Sequence, residues 1–143
     1  MTLVELLIVV AIFAMLATVG VIQLLRARMT AQEQFAVTNL RTVAKACQFY
    51  FLTNQAYPPD LVTLGPTIST PPYLDPNLAQ DPANRQGYQF TYVPNPSFVA
   101  FQLRANPITH GVTGNRHYLT DETNTVYYTD LNQDAQVTDQ VLP

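Results

Sequence analysis

The chain predicts an α+β fold: one long N-terminal helix whose C-terminal half packs on a four-stranded antiparallel sheet. Three observations carry this expectation. All eleven prolines lie beyond Tyr57, which leaves the first third free to form one helix and makes the rest turn-rich. Apolar residues recur at spacings of three and four between Ala36 and Phe51. Beyond Gly87 the pattern changes to an alternation of period two.

Residues 1–25 form the first segment, MTLVELLIVVAIFAMLATVGVIQLL. From Leu6 to Ile22 nothing is more polar than Thr18 and Gly20, and the only charge in the segment is Glu5. A helix rises about 1.5 Å per residue, and roughly 20 apolar residues cross a bilayer's hydrocarbon core. The segment is long enough to span a membrane. A secretory signal peptide would show a basic flank before the apolar run and a small-residue cleavage site after it. Neither is present, so the expectation is a mature end left by an enzyme that removed a short basic leader.

Glu5 is out of place in such a helix. A charged residue at mid-bilayer costs on the order of 2.5–3.5 kcal/mol on insertion scales, and less near an interface. Two partners lie close by: the first turn of the helix, whose dipole favours a negative charge, and the α-amino group of Met1. The same pairing works between two chains, with Glu5 of one meeting the amine of another. Taken alone, Glu5 is better explained by a capping role in an ordinary anchor.

The whole string says more. Thr2-Leu3-Val4-Glu5-Leu6-Leu7-Ile8-Val9-Val10-Ala11-Ile12 resembles the mature N-terminus of type IV pilins and their pseudopilin relatives. That resemblance covers about the first 30 residues closely and the remainder by general pattern. It implies a pilin fold. It also implies cleavage by prepilin peptidase before Met1, methylation of the new amine, and assembly contacts by Met1, Thr2 and Glu5. The family usually has Phe where this chain has Met1, and often has Pro where it has Ile22. The helix breaker in this region is therefore Gly20, worth about 1 kcal/mol against helix.

Residues 26–52 continue as an amphipathic helix. Arg26 and Arg28 follow the apolar run at the level where headgroups would lie. Ala36, Leu40, Val43, Ala44, Cys47 and Phe51 make one apolar stripe, with Arg41, Lys45 and Gln48 off it. No Gly or Pro falls between Val21 and Tyr57, so a helix from Thr2 to about Leu52 is expected, on the order of 75 Å long. Cys47, the one cysteine, sits on the stripe as a small core residue and has no intrachain disulfide partner.

Residues 53–87 hold seven prolines and two glycines and read as a loop, with a short helix at Leu61–Leu64 after Asp60. Residues 88–143 form the sheet and C-terminal loop. Tyr88, Phe90 and Tyr92 alternate with polar residues, Pro94-Asn95-Pro96 turns, and Val99, Phe101 and Leu103 alternate in turn. His117–Thr120 and Thr125–Thr129 read as a second hairpin. Tyr50, Tyr57, Tyr127 and Tyr128 are expected to be packing residues.

The tail contains Asp130, Asn132 and Asp134 in the D-x-N-x-D spacing that opens a calcium loop. Calcium takes six to eight hard oxygens, and acids at alternate positions supply them on one side of a turn. Against the pattern, Ala135 stands where the loop needs Gly, and Val141 where it needs an acid. Asp139 is the substitute ligand. A plain acidic turn is the competing reading.

Net charge is −3, and the acids gather in the outer part: eight follow Cys47. That balance argues against a broad nucleic-acid patch. His110 and His117 have no spaced Cys or acid partner and read as exposed polar residues. With no phosphate loop and no nucleophile elbow, an enzyme is not expected. The resemblance implies a homo-oligomeric helical filament, drawn from the inner membrane by pilus assembly machinery and displayed outside the cell. Its use would be motility, adhesion, DNA uptake or secretion. The alternative is a pseudopilin of a type II secretion pseudopilus in the periplasm. A third reading, from another class, is a monomeric membrane-anchored binding domain.

Overall fold

A computed structural model describes residues 2–143; Met1 lies outside the described residues. Helix α1 runs from Leu3 to Asn54 and is 52 residues long, about 78 Å at the usual rise. It passes through Gly20 without interruption. Thr2 is its N-cap, and it stops where Gln55 adopts the left-handed conformation, φ 58°, and returns its N–H to the carbonyl of Phe51 at 2.7 Å.

The two halves of α1 face different surroundings. Every residue from Thr2 to Arg28 is exposed. Beyond that, Ala36, Val37, Leu40, Val43, Ala44, Ala46 and Cys47 are buried, which is the expected stripe with Val37 and Ala46 added and Phe51 at its half-covered margin. Three of the seven are alanines, and small side chains let the helix lie close to the sheet.

The sheet has six strands, not four, in the order β1-β2-β3-β4-β5-β6: Ala83–Arg85, Tyr88–Pro94, Phe101–Pro107, His117–Asp121, Val126–Thr129 and Gln140–Val141. All neighbouring pairs are antiparallel. The extra strands are the two edges. β1 lies in the stretch read as loop, and Gln86 and Gly87, both at positive φ, turn it back onto β2. β6 is two residues pairing with Tyr127 and Tyr128. The expected short helix after Asp60 is a single 3-10 turn, Val62–Leu64, with Asp60 accepting from the Thr63 N–H at 2.8 Å.

The core lies between α1 and one face of the sheet. Tyr88, Phe90 and Tyr92 of β2, Phe101, Leu103 and Ala105 of β3, and Tyr118 of β4 all point into it. Leu61, Leu64, Leu74 and Leu78 from the Pro-rich segment close one end, so that segment is core as well as surface. Tyr57 stacks on Phe51, centroids 4.7 Å apart, and meets Phe101 edge-on at 4.9 Å. Tyr92 anchors the segment by donating to the carbonyl of Pro58 at 2.9 Å.

The opposite face of the sheet is partly covered too. Leu119 pairs with Arg104 and Tyr127, so it points away from α1, yet it is fully buried. The C-terminal segment crosses this face. Asp134 accepts from Asn106 at 2.7 Å and from Arg104 at 3.3 Å, and the adjacent Ala135 is buried. Tyr128 donates to Gln140 at 2.7 Å, and the Leu142 N–H to Val126 at 2.8 Å. With no disulfide among the described residues, these bonds and ion pairs hold the tail.

Candidate assembly face

The segment that sequence reasoning marked for assembly is the exposed half of α1. Leu3, Leu6, Leu7, Val10, Phe13 and Leu16 all stand in the open. This is the one helix among the described residues long and apolar enough to cross a membrane. A soluble surface rarely carries contiguous apolar patches above a few hundred Å². A bare apolar helix of this length therefore needs lipid or other copies around it.

Glu5 is held at the head of that helix by Thr2. The Glu5 carboxylate accepts from the Thr2 N–H at 2.7 Å and from the Thr2 hydroxyl at 3.1 Å. In return the Glu5 N–H donates to the Thr2 hydroxyl oxygen at 3.3 Å. This reciprocal capping box satisfies two groups that would otherwise face an apolar medium, and its cap contributes about 1 kcal/mol. The sequence spacing T-x-x-E is its signature. Met1 and its amine lie outside the described residues.

Near Gly20 a Cβ would meet nothing within 4 Å, so the glycine answers no packing demand within the single chain. Two residues before it, the Thr18 hydroxyl donates to the Met15 carbonyl at 2.8 Å. Such back-bonding weakens the local ladder slightly.

Three of the four candidate calcium ligands, the acids, are engaged by donors of the protein itself. Asp130 accepts from Arg116 Nε at 3.0 Å, Asp134 from Asn106 and Arg104, and Asp139 from the Gln136 N–H at 2.7 Å. Among the described residues no group of three His, Cys, Asp or Glu is placed to hold a metal ion. As they stand, these side chains do not fit a calcium shell: cationic or amide donors take up three carboxylates, and buried Ala135 plugs the outer sheet face where the loop would need Gly.

His117 corrects the expectation of two exposed histidines. It is 6% exposed, its ring stacks on that of His110 at 5.6 Å, and Nδ1 lies 3.0 Å from Oδ1 of Asn106. Its Nε2 is buried without a partner. Burial and the neighbouring His110 hold its pKa below the usual value. The alternation of β4 gave no warning, because the tail covers a face that would otherwise meet water. Burial likewise pushes the Cys47 thiol up to about 12, the mark of an inert core residue.

No protein-family model matches this chain, and no curated protein does. Among solved structures it is similar to a type IV pilin from Shewanella oneidensis, at 22% identity and a TM-score of 0.45, over 71% of this chain and 88% of that one.

Proposed function

We propose that the chain is the structural subunit of a type IV pilus, packing its apolar helix into the core of a helical filament and presenting its head outside. The observation that carries this reading is the bare apolar half of α1 with a carboxylate capped at its first turn. Lipid would cover the helix before assembly and neighbouring copies would cover it afterwards. Glu5 would then trade its bonds to Thr2 for the Met1 amine of the next subunit, a contact whose desolvation penalises a mis-registered copy. Prepilin peptidase and the assembly machinery are the partners this reading requires, and Met1 is the processed, methylated residue. Melting near Gly20 and Thr18 would let the helix adjust within the filament. A pseudopilus subunit would share the architecture.

The test is Glu5→Ala and Glu5→Gln in cells. Surface filaments should disappear while the chain stays in the envelope at normal abundance. Filaments that contain the variant chain at normal yield would sink the role given to Glu5, and an envelope-bound chain absent from filaments even in the wild type would leave a monomeric anchored domain.

A further inference from the structure

At the underside of the head, the loop Thr109–Thr113 reaches down beside α1. Together with Ile22, Leu25, Arg26, Met29 and Gln32 it encloses a groove of about 480 Å³. The loop is firmly built. The Ile108 N–H donates to Gly87, the Gly111 N–H to Gly114, both at 2.9 Å, and the Thr113 N–H returns to Thr109 at 3.0 Å. Gly111, at φ 82°, makes the turn that sends Val112 outward.

One apolar side chain is thereby displayed where nothing in the head covers it: Val112 is 68% exposed. Its height is the informative quantity. The groove reaches Ile22, four residues before Arg26 and so about 6 Å inside the apolar run. Interfacial apolar groups sit roughly 5–10 Å into the boundary between headgroups and acyl chains. Beside Val112 stand Arg26 and Arg28, exposed, and in no ion pair among the described residues. Nothing acidic lines the groove, although the chain as a whole is acidic.

We propose that this underside is a lipid-docking surface: Val112 enters the interfacial layer while Arg26 and Arg28 bind the phosphates of anionic phospholipids. The proposal rests on the reading of α1 as a membrane helix before assembly. The continuity of the loop with the end of that helix, and the uncompensated cations between them, select lipid over a protein partner. Docking fixes the head against the bilayer and sets the tilt of each stored subunit.

The experiment uses the full chain in phosphatidylcholine vesicles with and without phosphatidylglycerol. A fluorophore is attached through Val112→Cys, Ile68→Cys or Ala11→Cys, buried Cys47 remaining unlabelled. Quenching is read from headgroup-level nitroxide lipid and from aqueous iodide. The expected result is severalfold stronger lipid quenching at Val112→Cys than at Ile68→Cys, enhanced by phosphatidylglycerol, with the enhancement lost in R26Q/R28Q. Equal quenching at the two head positions overturns the proposal, as does protection that ignores phosphatidylglycerol. Protection that grows with the protein-to-lipid ratio assigns the groove to a second copy and also overturns it. If Ala11→Cys is open to iodide, the membrane reading itself fails, and the proposal with it.

Discussion

The phenol of Tyr88 passes beneath Gly114 and donates to the carbonyl of Arg116 at 2.9 Å. A Cβ at Gly114 would stand 2.7 Å from Cζ of Tyr88, so glycine there is a requirement of close approach. This contact ties the loop after β3 to β2. Gly114→Ala should cost about 1–3 kcal/mol, as overpacking of a tight site does. Tyr88→Phe should cost roughly 1 kcal/mol for the lost bond. The double variant should lose less than the sum, because the missing hydroxyl relieves the collision. Thermal unfolding of the three proteins in detergent measures the cycle, and strict additivity would contradict the contact.

His117 should make the head sensitive to mild acid. Its folded pKa lies below the unfolded value near 6.5. The unfolded chain therefore takes up a proton first as pH falls, and stability present above 6.5 is lost below it. The thermal midpoint should drop between pH 7.5 and 5.5 in the wild-type chain, and the slope should flatten in His117→Gln. An unchanged slope in the variant would assign the effect elsewhere.

Cys47 should be silent to thiol reagents in the folded protein. Its thiol is buried and its pKa stands at about 12, so almost no thiolate exists at neutral pH. Maleimide should label it only after denaturation. Rapid labelling of native protein would mean that α1 lifts from the sheet.

The tail should depend on arginine rather than on calcium. Chelators should leave the thermal midpoint of the chain unchanged. Asp134→Ala should lower the midpoint, at a cost of up to about 1 kcal/mol of stability, the scale of a half-exposed ion pair with one added hydrogen bond. A midpoint that rises on adding calcium would restore the loop as a metal site.

The long helix was legible because its signals are strong and local: a continuous apolar run, then Ala36, Leu40, Val43, Ala44 and Cys47 at helical spacing. β2 and β3 declared themselves by alternation at Tyr88, Phe90, Tyr92, Phe101 and Leu103. The edge strands did not. β1 is three residues inside a Pro-rich stretch, and its clue was the glycine of the Gln86-Gly87 turn. β6 is two residues with no pattern of its own. The burial of His117, Leu119 and Ala135 depends on where the tail crosses the sheet, which is a tertiary fact. The Thr2–Glu5 box was written in the spacing of its residues, and the groove beneath the loop was not, because Val112 is ninety residues from Ile22.

The most direct test is cryo-electron microscopy of filaments sheared from cells that express the chain. The expected result is long helical filaments with this chain at every position, α1 bundled in the core, Glu5 against the Met1 amine of a neighbour, and heads outside. Sheared material that lacks the chain while it remains in the envelope would contradict it.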